Sequence, residues 1–308
     1  MPTTSNGAPT GAQLELTRGA QRAVVTEVGA GLRSWSLDGR ELLDGFAADE
    51  SPSDFRGQVL APWPNRLRDG RYEFAGVEHR TPITEPERGV ALHGLVSGLR
   101  WRAGERAADR VAMELELEPR DGYPFALRLV VEYALADRGL VVTLAATNAG
   151  GGAAPFGAGF HPYLATGEVD AALVAIPAES LVPVDSDRLL PTGPPVPVAG
   201  SPQDFRRERP IGATALNTCY ADLERGADGL AHVRVTTQER VIAVWMDEAF
   251  PFAMAYTADD VADPARRRGS LAIEPMTCAP DAFNTGLGLR VLAPGETLSA
   301  RWGMTAGG

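Results

Sequence analysis

The stretch ALRLVVEYALADRGLVVTLAAT, residues 126–147, decides the fold. Apolar side chains recur at every second position through Leu127, Leu129, Val131, Tyr133 and Leu135. That period of two belongs to a half-buried strand, not to a helix. Segments 126–135 and 139–147 are joined by ADRG, residues 136–139, and read as a hairpin. Working outward, 111–118 (VAMELELE) places Val111, Met113, Leu115 and Leu117 on one face and mostly glutamates on the other. Residues 21–26, 231–237 and 241–246 alternate in the same way, and DG or GADG turns punctuate the runs. No 3.6-residue pattern extends beyond about two turns. The proline-rich stretch 191–202 is expected to be a surface connection, since strand-like sequence resumes on both sides. The expectation is all-β: one large antiparallel β-sandwich over residues 13–308, preceded by a disordered tail over 1–12.

Composition narrows the function. The chain has 308 residues and a net charge of −11. That balance argues against nucleic acid, whose phosphates require cations, and against anionic membranes. All 29 basic residues are arginine. Without lysine there is no imine-forming aldolase, no ordinary pyridoxal-phosphate enzyme and no P-loop. Two cysteines, Cys219 and Cys278, make no disulfide framework and are expected as buried thiols. Residues 1–16 do not read as a signal peptide, and no apolar run reaches membrane-spanning length. A cytoplasmic location is expected, with no metal or cofactor.

Four segments join polar groups to stiff backbone. In APWPNRLR, 61–68, two prolines frame Trp63, followed by Asn65 and Arg66. A ring face with neighbouring amide and guanidinium donors suits a sugar; the plainer alternative is a strand entry with a surface arginine. His93 sits between Leu92 and Gly94, where a satisfied structural histidine is the commoner case. In GAGFHPYLATG, 157–167, His161 precedes a proline that restricts its backbone, while Gly157 and Gly159 permit close approach by a backbone or a ligand. Such stiffness orients an imidazole for proton delivery; a turn with a capping histidine is the alternative. In LAIEPMTCAPDAFN, 271–284, Glu274 closes an apolar run, and a carboxylate at a buried strand end has its pKa raised.

Together these segments resemble the aldose 1-epimerase (galactose mutarotase) family. The resemblance runs from GAGLRSWSLDGREL (29–42) to VLAPGETLSARW (291–302). It includes PNRLRDGRYEFAG, the LHG of 92–94, DGYP at 121–124, GFHPYL at 159–164 and EPMT-x-x-PDAFN at 274–284, in the family's order. It implies a large β-sandwich whose concave face holds a monosaccharide, no cofactor, and interconversion of α and β anomers at C1. By motif, Glu274 matches the general base and His161 the general acid, expected on opposite sides of one pyranose. His93 and Arg66 match residues that grip the ring oxygen and hydroxyls, with Asn65 beside them. One departure stands out. Where the family has a hydroxyl-binding aspartate, this chain has Asn217, an uncharged amide that both donates and accepts.

Three alternatives remain at this point. The first is a non-catalytic carbohydrate-binding or regulatory module. The second is an epimerase of phosphorylated or sulfonated sugars served by Arg66, Arg68 and Arg71. The third is a glycoside hydrolase whose second acid is Asp222, Asp247 or Asp281.

Overall fold

The strands follow the alternation. The computed structural model describes residues 7–307. Strands span Gln21–Thr26, Arg110–Leu117, Leu127–Ala136, Gly139–Asn148, Ala231–Thr236 and Val241–Met246. Ala136 pairs with Gly139, so Asp137 and Arg138 alone make the central hairpin turn. The hairpin lies within a nine-stranded antiparallel sheet, where the long strand Thr297–Gly307 links it to Val241–Met246. Leu129, Val131, Tyr133, Val142 and Leu144 are fully buried. Each such side chain contributes on the order of 1.5–3 kcal/mol. The Tyr133 hydroxyl donates to the Ala30 carbonyl at 2.7 Å, satisfying its polar tip inside the core.

A second sheet of eight strands holds Asn217–Leu223, Phe252–Tyr256 and Leu271–Met276 side by side. Three two-residue strands extend it: Gly159–Phe160, Tyr163–Leu164 and Val59–Leu60. The sheets meet through Phe160 and Trp302, whose ring centroids are 5.2 Å apart. A four-stranded sheet, Gln13–Glu41, adds to the same continuous core. Among the described residues the one α-helix is Ala282–Thr285, and no helix is long and apolar enough to cross a membrane.

One expectation needs correction, and another gains detail. The tail expected over 1–12 does not extend to residue 12; residues 1–6 lie outside the described residues. Thr10 is buried, the Val28 N–H donates to its carbonyl, and the Ala12 N–H donates to the Glu27 carboxylate. Backbone hydrogen bonds hold this segment, and composition does not report them. The connection 191–202 contains an edge strand, Val196–Pro197, against Ser180 and Leu181. Proline is tolerated there because an edge N–H has no ladder partner to lose.

Candidate active site

His161 lies in the two-residue gap between Gly159–Phe160 and Tyr163–Leu164. The His161 N–H donates to Gln58, and its carbonyl accepts from Gly57. The flanking glycines serve packing. A Cβ on Gly157 would fall 2.3 Å from Cys278 Sγ, and one on Gly159 would lie 2.9 Å from Pro64 Cβ. Both cysteines are free and buried, as expected.

Glu274 is not at a strand end. It is the fourth residue of Leu271–Met276, buried at every position, opposite Met254 on the neighbouring strand. A strand enclosed on both faces shows no alternation. Burial pushes the Glu274 carboxyl up to about 8, opposed by Arg66. The same desolvation pushes His161 down to about 3. Burial therefore favours the neutral form of both groups, a carboxylic acid beside an uncharged imidazole. That is the reverse of the base and acid that the resemblance implies, and one proton shift within the pair interconverts the two arrangements. His161 Nε2 lies 3.4 Å from Glu274 Oε1, and Glu274 Oε2 has no hydrogen-bond partner. The groups are neighbours, not placed across a ring from each other. Neighbouring groups suit two oxygens bonded to one carbon.

His93 joins them from the turn after Val90–Leu92, its ring 5.3 Å from that of His161. It has φ of 60°, and Asn65 has φ of 57°. Gly94 follows because a Cβ there would lie 2.1 Å from the Ala61 carbonyl oxygen. His93 Nδ1 accepts the Asn65 backbone N–H at 3.0 Å. Neutral His93 therefore carries its hydrogen on Nε2, and burial keeps the ring neutral. His93, His161 and Glu274 present donor atoms within 4.8 Å of one another, a set seen at metal sites. The fit is poor. A ligating histidine donates its second N–H to an acceptor, whereas His93 Nδ1 faces a donor. Its Nε2–H is suited to hydrogen-bond a substrate oxygen.

Arg66 runs along the wall in a two-pronged pair with Glu85, at 2.8 and 2.9 Å. Its backbone N–H donates to the Asn65 side-chain oxygen. Asn217 opens its strand opposite Tyr256. All six residues singled out in the sequence, Asn65, Arg66, His93, His161, Asn217 and Glu274, line one cavity of about 260 Å³. That is close to the lower end for small-molecule sites. A larger hollow of about 520 Å³ around Glu41 and Glu239 has no histidine among its lining residues.

Other readings part from the structure. Trp63 is 3% exposed and packs edge-on to Phe283 in the core, so it offers no face to a sugar. The cavity is lined instead by Phe55, Tyr163 and Tyr256. Tyr163 stands within the quoted GFHPYL motif, but no local pattern marks Phe55. Asp222, Asp247 and Asp281 all lie outside the lining. Asp281 accepts from the Arg68 backbone and from Asn284, and Asp247 from Ala249 and Arg301. Arg68 and Arg71 are absent from the lining too.

Comparison with known proteins bears on the family and the fold. A model of the family described as aldose 1-epimerase matches residues 12–305. The chain belongs to the aldose 1-epimerase family. It is 33% identical to the uncharacterized protein YihR of Escherichia coli K12 over 289 residues, 93% of this chain and 90% of that one. It is 28% identical to human galactose mutarotase over 165 residues, 51% of this chain and 46% of that protein. In fold it resembles the GalM/aldose epimerase homologue of C. elegans, with a TM-score of 0.85 at 18% identity, covering 96% of this chain and 98% of the other. Galactose 1-epimerase of Lactobacillus acidophilus gives a TM-score of 0.80 at 19% identity, covering 96% and 94%. As a member of the epimerase family, the chain has the galactose-mutarotase-like sandwich expected from its sequence.

Proposed function

We propose that this protein interconverts the α and β anomers of a hexose by opening and resealing its hemiacetal. The observation that carries the reading is the Glu274–His161 pair, 3.4 Å apart, buried, and part of one cavity with His93 and Arg66. One proton is shared between the two groups. When it sits on His161, Glu274 takes the C1 hydroxyl proton while His161 protonates the ring oxygen. When it sits on Glu274, the roles exchange. Either way the C1–O5 bond breaks to an aldehyde and the pair still holds one proton. The aldehyde then turns about C1–C2, and closure on its other face runs the same transfers backward. A reversible reaction is well served by a pair whose proton count does not change. Each placed transfer accelerates the reaction by roughly a hundred- to ten-thousand-fold. His93 Nε2–H and the Arg66 guanidinium hold the sugar oxygens, with Asn65 and Asn217 completing the grip.

The lining favours an uncharged sugar. Asp54, Glu85, Glu87 and Asp260 face two arginines, Arg66 and Arg88, both already paired with Glu85. A phosphate or sulfonate would meet excess negative charge there. The test is anomer equilibration of freshly dissolved aldoses, including 6-phosphates and 6-sulfonates, followed by polarimetry. Acceleration that Glu274→Gln and His161→Asn abolish is the expected result. Tight sugar binding without acceleration would instead favour a binding module, the reading that Asn217 motivates.

A further inference from the structure

A proton-transfer imidazole is ordinarily aimed by a hydrogen bond to its second nitrogen. His161 lacks one: Nδ1 is buried and has no hydrogen-bond partner on another residue. Its ring is nevertheless enclosed. Tyr163 stacks on it at 4.8 Å with an interplanar angle of 13°. On the Tyr163 ring sits the Arg56 guanidinium, its carbon 4.1 Å from the ring centroid.

We propose that Arg56 and Tyr163 are positioning residues, forming with His161 a stack that fixes the plane of the imidazole against Glu274. The proposal rests on His161 as a proton-transfer group.

Each layer of the stack is pinned. Arg56 is 1% exposed and does not line the cavity, so it acts only through another group. Its Nη2 donates to Asp44 Oδ2 at 2.9 Å, and its Nη1 lies 3.6 Å from Asp54 Oδ2. Asp44 is itself held by the Ser270 hydroxyl, and its backbone N–H donates to the Tyr163 carbonyl. The Tyr163 hydroxyl donates to the Asp54 carbonyl at 3.1 Å. Asp54 and Phe55 both have positive φ, at 51° and 55°. Consecutive left-handed residues other than glycine are strained and are found where surroundings demand them. Here the turn brings Arg56 and the Asp54 carbonyl to the back of Tyr163 and sets Phe55 on the His93 ring at 4.5 Å. Offset stacking and a buried cation over a ring are both favourable, and neither places a charge in the sugar's path.

The groups around the imidazole are Glu274 from its strand, His93 from the turn after Leu92, and Tyr163 with Arg56 behind it. Burial is the larger cause that holds His161 protonation down, and the Arg56 charge acts in the same direction, so its removal moves the midpoint upward.

The experiment joins imidazole NMR to kinetics; with four histidines in the chain, the spectrum is resolvable. Tyr163→Phe retains a ring, and Tyr163→Leu removes it. The expected result is a kcat for Tyr163→Leu at least about tenfold below that of Tyr163→Phe, with the larger loss in kcat and not KM, and a displaced His161 resonance. Arg56→Gln, which leaves Asp44 paired with Arg266 at 3.3 Å, is expected to shift the His161 midpoint upward. If that variant does not fold, the Tyr163 pair decides. Equal kcat and equal His161 resonances in Tyr163→Phe and Tyr163→Leu overturn the proposal. Failure of the parent to accelerate any aldose sinks the mutarotase reading instead, while the NMR comparison still tests the stack.

Discussion

The hairpin 127–148 and the cavity wall that carries His93 and His161 are built on opposite terms. The hairpin has ten-residue strands, ten consecutive pairs and apolar inward side chains. The wall is made of two- and three-residue strands, left-handed residues at Asp54, Phe55, Asn65 and His93, and buried polar groups. One region gains stability from regular burial. The other spends some of it to hold titratable groups out of water. Substitutions in the hairpin should therefore alter stability and leave chemistry alone, and substitutions in the wall should do the reverse.

The largest effect tests the wall. Glu274→Gln or His161→Asn should lower kcat for mutarotation by roughly a hundred- to ten-thousand-fold, with the strand signature in circular dichroism retained. Next comes the hairpin. Leu144→Ala should cost about 2–5 kcal/mol in denaturant unfolding while kcat of the folded protein stays at the parent value. A matching loss of kcat would break the contrast.

A third measurement joins stability to chemistry through pH. Folding raises the Glu274 carboxyl from its ordinary 4.5 to about 8. The folded state thus keeps a proton on this group that the unfolded chain releases, and the Glu274 contribution to stability declines as pH rises across that window, opposed below about 6.5 by the histidines that burial keeps neutral. Relative to the parent, Glu274→Gln should gain roughly 1.4 kcal/mol per pH unit between those values and level off above them. A flat difference would refute the burial argument. In the parent, kcat/KM should fall about tenfold per unit above pH 8 as the shared proton is lost, with no break near 6.5. The smallest effect is at Asn217. Asn217→Asp should change KM by a few-fold and reorder preference among aldoses while leaving the pH limb in place.

How legible each region was follows from the same contrast. The hairpin could be read because alternation is a local property: each residue's face is set by its neighbours two positions away. The candidate residues could be named because their motifs stand in the family's order. Their surroundings could not. Trp63 looked like a sugar platform and is core, since nothing local tells a buried indole from an exposed one. Glu274 looked like a strand end because enclosure on both faces erases the period of two. No local pattern marks Arg56, because its partners Asp44 and Tyr163 lie 12 and 107 positions away.

The sequence by itself determined the fold class, through alternation and turns, and named six residues for one site. Only the tertiary structure decided that Glu274 and His161 stand side by side, that burial drives both toward their neutral forms, and that His93 is held as a donor. Those properties depend on distance and on exclusion of water, which exist only after segments more than a hundred residues apart have been packed together.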